Sequence, residues 1–370
     1  MAFAVGPEPV LSSVTGAAMN NSELDVTTLP PKIASGLADG FGFRVAAMQP
    51  IDPGVVHTNR VTRLVSDDGR RAILKQYFRD DRMRLEREFG GLSFLADRSF
   101  ENVPRPWLKD DETYSAVYDF VPGETRPAES LRVTDVRRLA DFSVRFARFG
   151  PSDLPFDPGP AIGSAFSRSD EITQILRRAQ LFASFVAKRG ADAGTAEFNA
   201  TRDPASIVAD LVVRATRGMG RDSLEARAGR EEWRLTTSDF APHNLIWHGA
   251  TFCAIDFEYF GWDRPFGHVA YFIAADTALD LTDAARAAFI SRYAEGMRLD
   301  ALGRRELDTS ILMAHVMWAA VHLTAMTPPK IDSKRFGTSA FDLDAHLADQ
   351  RAKFERRVVL IGALLDSARR

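Results

Sequence analysis

Residues 236–247 read TTSDFAPHNLIW, and residues 252–262 read FCAIDFEYFGW. The joined segment NLIWHGATFCAID predicts strand, turn and strand, with Gly249, Ala250 and Thr251 at the tip. Asn244 starts the first strand and Asp256 ends the second, equally far from Ala250, so antiparallel pairing places both at one end of the ribbon. Asp239 sits in the loop feeding that end. An amide oxygen and a carboxylate suit a hard cation such as Mg²⁺, which keeps waters and takes few protein ligands. The second carboxylate is then free to orient, or take a proton from, an incoming hydroxyl. A competing structural reading exists, because Thr-Ser-Asp is also a good loop or cap sequence and Asn is common at turns. The convergence of three polar groups on one hairpin mouth favours the chemical reading.

A second constellation lies upstream. Lys75 ends the alternating segment RAILK. Over residues 80–98, DDRMRLEREFGGLSFLADR predicts a helix with Leu85, Phe89, Leu92 and Ala96 as its apolar stripe and Asp80 or Asp81 as its cap. Glu88 shares that stripe, whereas Glu86 points away from it. A carboxylate on an inward face wants a cation, and Lys75 is the near candidate. Such a pair can hold a lysine against nucleotide phosphates, although a plain surface salt bridge is the alternative.

Short segments rich in β-branched and aromatic residues recur from Phe41 to Phe120: FRVAAM, RVTRLV, RAILKQYF and TYSAVYDF. After VPGETRP at 121–127 the pattern becomes helical, at 131–149, 167–189 and 204–217, then β over 233–257, then helical from 266. This alternation indicates an α+β chain. The division expected is an N-terminal arm over 1–40, a small β-rich lobe over 41–121 and a larger, mainly helical lobe over 122–370. Pro122 and Gly123 are the hinge candidates.

Bulk composition narrows the function classes. A chain of 370 residues with 45% hydrophobic content can build two lobes. A formal net charge of −3 gives no electrostatic case for nucleic acid or an anionic membrane. The one cysteine, Cys253, fits a reducing compartment, so a cytoplasmic location is expected. The N-terminus lacks the basic start and long apolar run of a signal peptide, and no uncharged apolar stretch is long enough to span a bilayer. There is no G-x-x-x-x-G-K-[ST] or G-x-S-x-G motif, and the seven histidines are scattered.

The order of Lys75 on a hairpin strand, Glu88 on a helix, VYDFVPGE, SDFAPHN and IDFEYFGWDRP resembles the aminoglycoside phosphotransferase and choline kinase-like family, over residues 50–275. The resemblance implies a bilobal protein-kinase-like fold and transfer of the ATP γ-phosphoryl group to a hydroxyl of a small molecule: a sugar, amino alcohol, aminoglycoside or nucleoside. By position, Asp239 resembles the catalytic aspartate, Asn244 and Asp256 the Mg²⁺ ligands, and Lys75 and Glu88 the phosphate-positioning pair. Asp119, Phe120 and Val121 would meet the adenine, and residues 54–62 would cover the phosphates with Gly54 as their one glycine. The chain departs from the pattern at Thr237, where a histidine is usual, and at His268, near where an aspartate is usual after the Gly261–Asp263–Pro265 turn. Asp276, Asp280 and Asp283 are candidates for receiving a cationic acceptor, although runs of surface carboxylates are usually just solvated. Trp318 and His322, one helical turn apart, can line a pocket, but core packing is the stronger reading for them. Two rivals stand beside the enzyme: a pseudokinase acting as a nucleotide-binding scaffold, and a protein kinase, against which the missing Ala-Pro-Glu motif and activation segment count.

Overall fold

The computed structural model describes residues 24–51, 58–189, 203–338 and 341–367. The smaller lobe opens with α1 (Pro31–Phe41), followed by β1 (Val45–Pro50), β2 (Arg60–Ser66) and β3 (Arg71–Gln76). Then come α2 (Arg84–Asp97), β4 (Pro106–Asp110) and β5 (Ser115–Asp119). The five strands form one antiparallel sheet in the order β1-β2-β3-β5-β4.

Period-two alternation assigns the two sheet faces to different partners. Leu64, Ala72, Leu74 and Val117 pack with Ile33 and Leu37 of α1. Tyr77, Ala116 and Tyr118 pack on the opposite side with Leu85, Leu92 and Leu95 of α2. Residues 31–40, assigned to an arm on sequence, are therefore a packed layer of this lobe; Ile33 and Leu37 supply the apolar face that the small-residue composition around them obscures. Residues 1–23 of that arm lie outside the described residues.

A hinge leads to the larger lobe. It contains β6 (Glu124–Thr125), α3 (Val133–Phe146), α4 (Arg168–Arg189), α5 (Pro204–Ala215), α6 (Arg221–Glu225), β7 (Arg234–Thr236), β8 (Leu245–His248), β9 (Thr251–Ala254) and β10 (Gly261–Asp263). The helices α7 (Gly267–Ala274), α8 (Asp283–Gly296), α9 (Ala301–Ala325), α10 (Pro328–Gly337) and α11 (Leu343–Ser367) complete it. One core runs through both lobes, from Tyr77 and Leu92 through Phe142, Phe146 and Phe260 to Phe289. A second lies among α4, α5, α9 and α11. Among the described residues no single helix is long and apolar enough to cross a membrane.

Two glycines bring the lobes together. A Cβ on Gly91 of α2 would lie 2.8 Å from the Phe260 ring, so only a glycine lets the helix approach that ring. At Gly123 φ is 131°, and a Cβ there would lie 2.2 Å from the Trp247 carbonyl oxygen. Only glycine fits that backbone and that contact. The hinge thereby runs directly into β6, which pairs with β8 of the hairpin (Glu124 with Trp247, Thr125 with Ile246).

Candidate active site

The predicted hairpin forms, with a register one residue from that expected. His248 pairs with Thr251 and Leu245 with Ala254, so Gly249 and Ala250 make a two-residue turn. Asn244 consequently faces Ile255, whose N–H donates to the Asn244 carbonyl at 2.9 Å. Asp256 is the next residue and adopts a left-handed conformation, φ 66°. The strand thus ends at Asp256, at the same mouth as Asn244.

Asn244 is buried, and its Nδ2 donates to the Asp239 carbonyl at 2.9 Å. This bond fixes Asp239 relative to the hairpin and leaves the amide Oδ1 as the acceptor still to be used. The Asp239 carboxylate lies 3.7 Å from His243 Nε2, and His243 Nδ1 lies 3.0 Å from Thr277 Oγ1. Burial pulls the His243 imidazolium down, but Asp239 and Asp256 outweigh it, so its pKa is raised. Ser238, before Asp239, has φ 56°, and its N–H donates to Thr236 Oγ1 at 2.9 Å.

The smaller lobe delivers Lys75 from the inward face of β3. Its Nζ lies 2.6 Å from Glu88 and 2.5 Å from Asp256. Tyr77 donates to the same Glu88 oxygen at 2.9 Å and lies 2.7 Å from the Tyr118 hydroxyl. Burial opposes the Lys75 charge, but Asp256, Glu88 and Glu258 together hold the ammonium well above its ordinary range. Glu88 is pushed up to about 7, first by burial, with Lys75 opposing and Asp256 adding to the rise. The two rises have different causes: neighbouring carboxylates raise the lysine, whereas burial raises Glu88 in spite of the lysine.

Glu258, two residues beyond Asp256, is buried. It accepts hydrogen bonds from Asn59, just ahead of β2, and from Arg84, at the start of α2. Arg84 also pairs with Asp80 at 3.0 Å and donates to the Tyr259 hydroxyl at 3.3 Å. Asn59, Arg84 and Tyr259 carried no sequence signal, since the contacts join residues 174 to 199 positions apart. Asp80 is consumed in this way. The cap expected from Asp80 or Asp81 is replaced by Met83 in a left-handed conformation with no side-chain cap bond.

The remaining predicted residues fall in different places. Asp119 is at the hinge, but its carboxylate turns back to β4, accepting from Trp107 Nε1 at 2.7 Å and Arg105 N at 3.1 Å. Phe120 follows beneath the Arg71 guanidinium at 4.2 Å, and Val121 continues toward Gly123. Gly54 lies outside the described residues, so the covering-loop assignment begins only at Thr58. Thr237 is buried with its hydroxyl unpartnered. His268 is sandwiched between Phe146 and Phe240, ring centroids 5.2 and 4.7 Å away, with both nitrogens unpartnered. Burial pushes it down to about 3, and α7 has no side-chain cap.

Of the three acidic acceptor candidates, two are committed to partners. Asp276 pairs with Arg357 and, at 3.2 Å, with His322; these partners hold its carboxyl at about 2, although burial opposes them. Asp280 pairs with Arg356 at 2.6 Å, and Asp283 opens α8. His322 is a core residue, also 3.0 Å from Gln350, and Trp318 packs beside it with ring centroids 5.8 Å apart.

The donors suit Mg²⁺: Asn244 Oδ1 is uncommitted by its own Nδ2 bond, and Asp256 is partly exposed at the cleft. Two oxygen ligands fit a cation that keeps water. Among the described residues no cluster of three or more His, Cys, Asp or Glu side chains forms a larger metal site.

Residues 49–307 match the family model APH, described as a phosphotransferase enzyme family. No curated protein sequence matches the chain. Solved structures do. A protein of Ralstonia eutropha superposes with a TM-score of 0.61 at 12% identity, covering 90% of this chain and 97% of its own. Plasmodium vivax ethanolamine kinase gives 0.56 at 15% identity, covering 84% and 81%. A spectinomycin phosphotransferase, solved with ADP and spectinomycin, gives 0.56 at 12% identity, covering 87% and 97%. At these identities the likeness establishes a shared protein-kinase-like fold.

Proposed function

The chain belongs to the APH phosphotransferase enzyme family, and on that premise we propose that it transfers the γ-phosphoryl group of ATP to a hydroxyl of a small molecule. The observation that carries this reading is Lys75 bridging Glu88 and Asp256 at 2.6 and 2.5 Å, which ties the smaller lobe's lysine to the catalytic hairpin.

In this reading Asn244 Oδ1 and Asp256 would hold Mg²⁺, which when bound neutralises phosphate charge. Lys75, steered by Glu88 and Tyr77, presents its ammonium to the phosphates. Asp239 accepts a hydrogen bond from the acceptor hydroxyl and orients its oxygen for attack. The hinge backbone at Asp119–Val121 meets the adenine. The Asn59–Glu258–Arg84 network holds the end of the covering loop to the hairpin. Such transfer asks the protein for positioning and charge neutralisation rather than covalent chemistry.

Asp239→Asn tests the proposal. Phosphoryl transfer should fall by about 10²–10⁴-fold, while nucleotide binding, read by calorimetry, is retained. Nucleotide binding with no turnover on any hydroxyl compound, in the unsubstituted chain, would instead favour the scaffold reading.

A further inference from the structure

Helix α10 leaves the larger lobe and reaches the smaller one. Arg60 Nε of β2 donates to the Phe336 carbonyl at 3.2 Å, and the Arg60 guanidinium lies 4.5 Å from the Phe336 ring. Phe78, just after β3, meets the same ring edge-on at 5.6 Å. The helix therefore straps the cleft beside the catalytic hairpin. It carries Lys330 and Lys334 one turn apart, both half-buried.

Those lysines meet arginines from two other elements. Arg82 and Arg84 both donate to the Tyr259 hydroxyl, at 3.4 and 3.3 Å, and Tyr259 lies three residues beyond Asp256. Arg178 comes from α4, is half-buried, and lies within electrostatic reach of Arg82 and Lys330. Setting aside Lys334, which makes a further interaction, the cluster holds four cations, Arg82, Arg84, Arg178 and Lys330. Two carboxylates are built into it: Asp80, paired with Arg82 and Arg84, and Glu258, paired with Arg84. Among the described residues neither the Arg178 nor the Lys330 side chain has a carboxylate or other hydrogen-bond partner. Burial, then Arg82, Arg178 and Arg84, push the Lys330 ammonium down to about 7. Burial and Arg82 also lower Arg178, with Tyr271 and Tyr259 opposing. Lys334 borders the chemistry itself: burial and Arg84 lower it against Glu258, Asp239 and Asp256.

Like charges gathered in a half-buried recess repel one another unless an anion joins them. Arginine forks and lysine ammonium groups are the side chains that recognise phosphate and carboxylate. Two of the three acidic residues that could have welcomed a cationic acceptor are spent elsewhere, Asp276 on Arg357 and His322, Asp280 on Arg356.

We infer that the acceptor is anionic: a hydroxyl compound bearing a phosphate or carboxylate, seated on Arg178, Lys330 and Arg82 so that its hydroxyl reaches Asp239. This rests on the phosphotransfer reading above and narrows its substrate class.

The full chain is titrated with inorganic phosphate, with and without saturating AMP-PNP and Mg²⁺. Acceptors are then screened in two arms, sugar phosphates and hydroxy acids against cationic amino alcohols and aminoglycosides. Phosphate should bind with the nucleotide site filled, and Arg178→Ala and Lys330→Gln should each weaken it by about tenfold or more. Turnover should appear in the anionic arm, with acceptor KM raised in both variants and nucleotide KM kept. Phosphate bound only when nucleotide is absent would assign the cluster to the triphosphate and overturn the inference. So would equal phosphate affinity in the variants, or turnover of a cationic acceptor untouched by them. Failure of AMP-PNP to bind counts against phosphotransfer, whereas the phosphate titration on its own still decides the anion site.

Discussion

Two ionic clusters of this molecule, one where the lobes meet and one within the larger lobe, differ in what they leave over. In one, Lys75 is shared by Glu88 and Asp256 at the cleft, and the Asp256 side chain is 29% exposed. In the other, Arg357, His315, His322 and Asp276 close on one another between α9, α11 and the segment after α7, and the Arg357 side chain is fully buried. In the sequence Asp276 stood out as a carboxylate for a cationic acceptor and His322 as a neighbour of Trp318, whereas Lys75 and Glu88 stood out as a pair on inward faces. The structure shows that burial of an ion pair does not by itself mark a site. A charge left in excess and open to a ligand does, because only such a charge can change partners during a reaction.

Substituting the cation in each cluster separates the two roles. Lys75→Met should lower phosphoryl transfer by about a hundredfold or more, since positioning of the phosphates is lost. The folded chain should survive, because Glu88 is already pushed up to about 7 and can take a proton, while Asp256 reaches water. Steady-state kinetics beside thermal unfolding checks both halves. Arg357→Met should do the reverse. Removing one member of a buried pair costs about 3–5 kcal/mol, which a denaturant titration would read, with the transfer rate per folded molecule kept. Equal loss of stability in both variants would erase the contrast.

A smaller effect sharpens it. His268 and His315 are both pushed down to about 3, principally by burial, with Arg357 adding at His315. An unfolded histidine titrates near 6.5, so between about pH 6.5 and 3 the unfolded chain binds protons that the folded one refuses. Their contribution is complete above pH 6.5 and is lost as the pH falls. Melting curves from pH 8 to 5 should show the decline. His268→Phe keeps the stack between Phe146 and Phe240, removes two unpartnered nitrogens and should add about 1–3 kcal/mol. It should also flatten the acid limb. An unchanged melting temperature would mean that the imidazole is satisfied in solution.

The legible parts of the sequence were those with short-range periodicity or strong turn chemistry. Four strands of the smaller lobe, α2, the hairpin and the hinge at Gly123 all carried such signals. β4 did not: it begins at Pro106 and pairs irregularly with β5, so no alternation announced it. The tip was placed one residue off because Gly249, with φ 57°, allows a two-residue turn where three had been counted. α1 was hidden by an alanine- and glycine-rich composition that buries only Ile33 and Leu37. At the candidate site, Lys75, Glu88, Asp239, Asn244 and Asp256 could be named because each sits at a definable strand end, helix face or loop. Asn59, Arg84, Arg178 and Lys330 could not, because their neighbours are chosen by tertiary packing. The strap formed by α10 was equally invisible, since its contact with Arg60 spans 276 positions.

Asn244, Asp256 and Lys75 are proposed to serve one nucleotide, and a crystal structure of the full chain with AMP-PNP and Mg²⁺ decides it. It should show the metal about 2.0–2.1 Å from Asn244 Oδ1 and an Asp256 oxygen, with Lys75 turned from Asp256 to the phosphates. Nucleotide bound away from these three side chains, or a metal held by other residues, would contradict it.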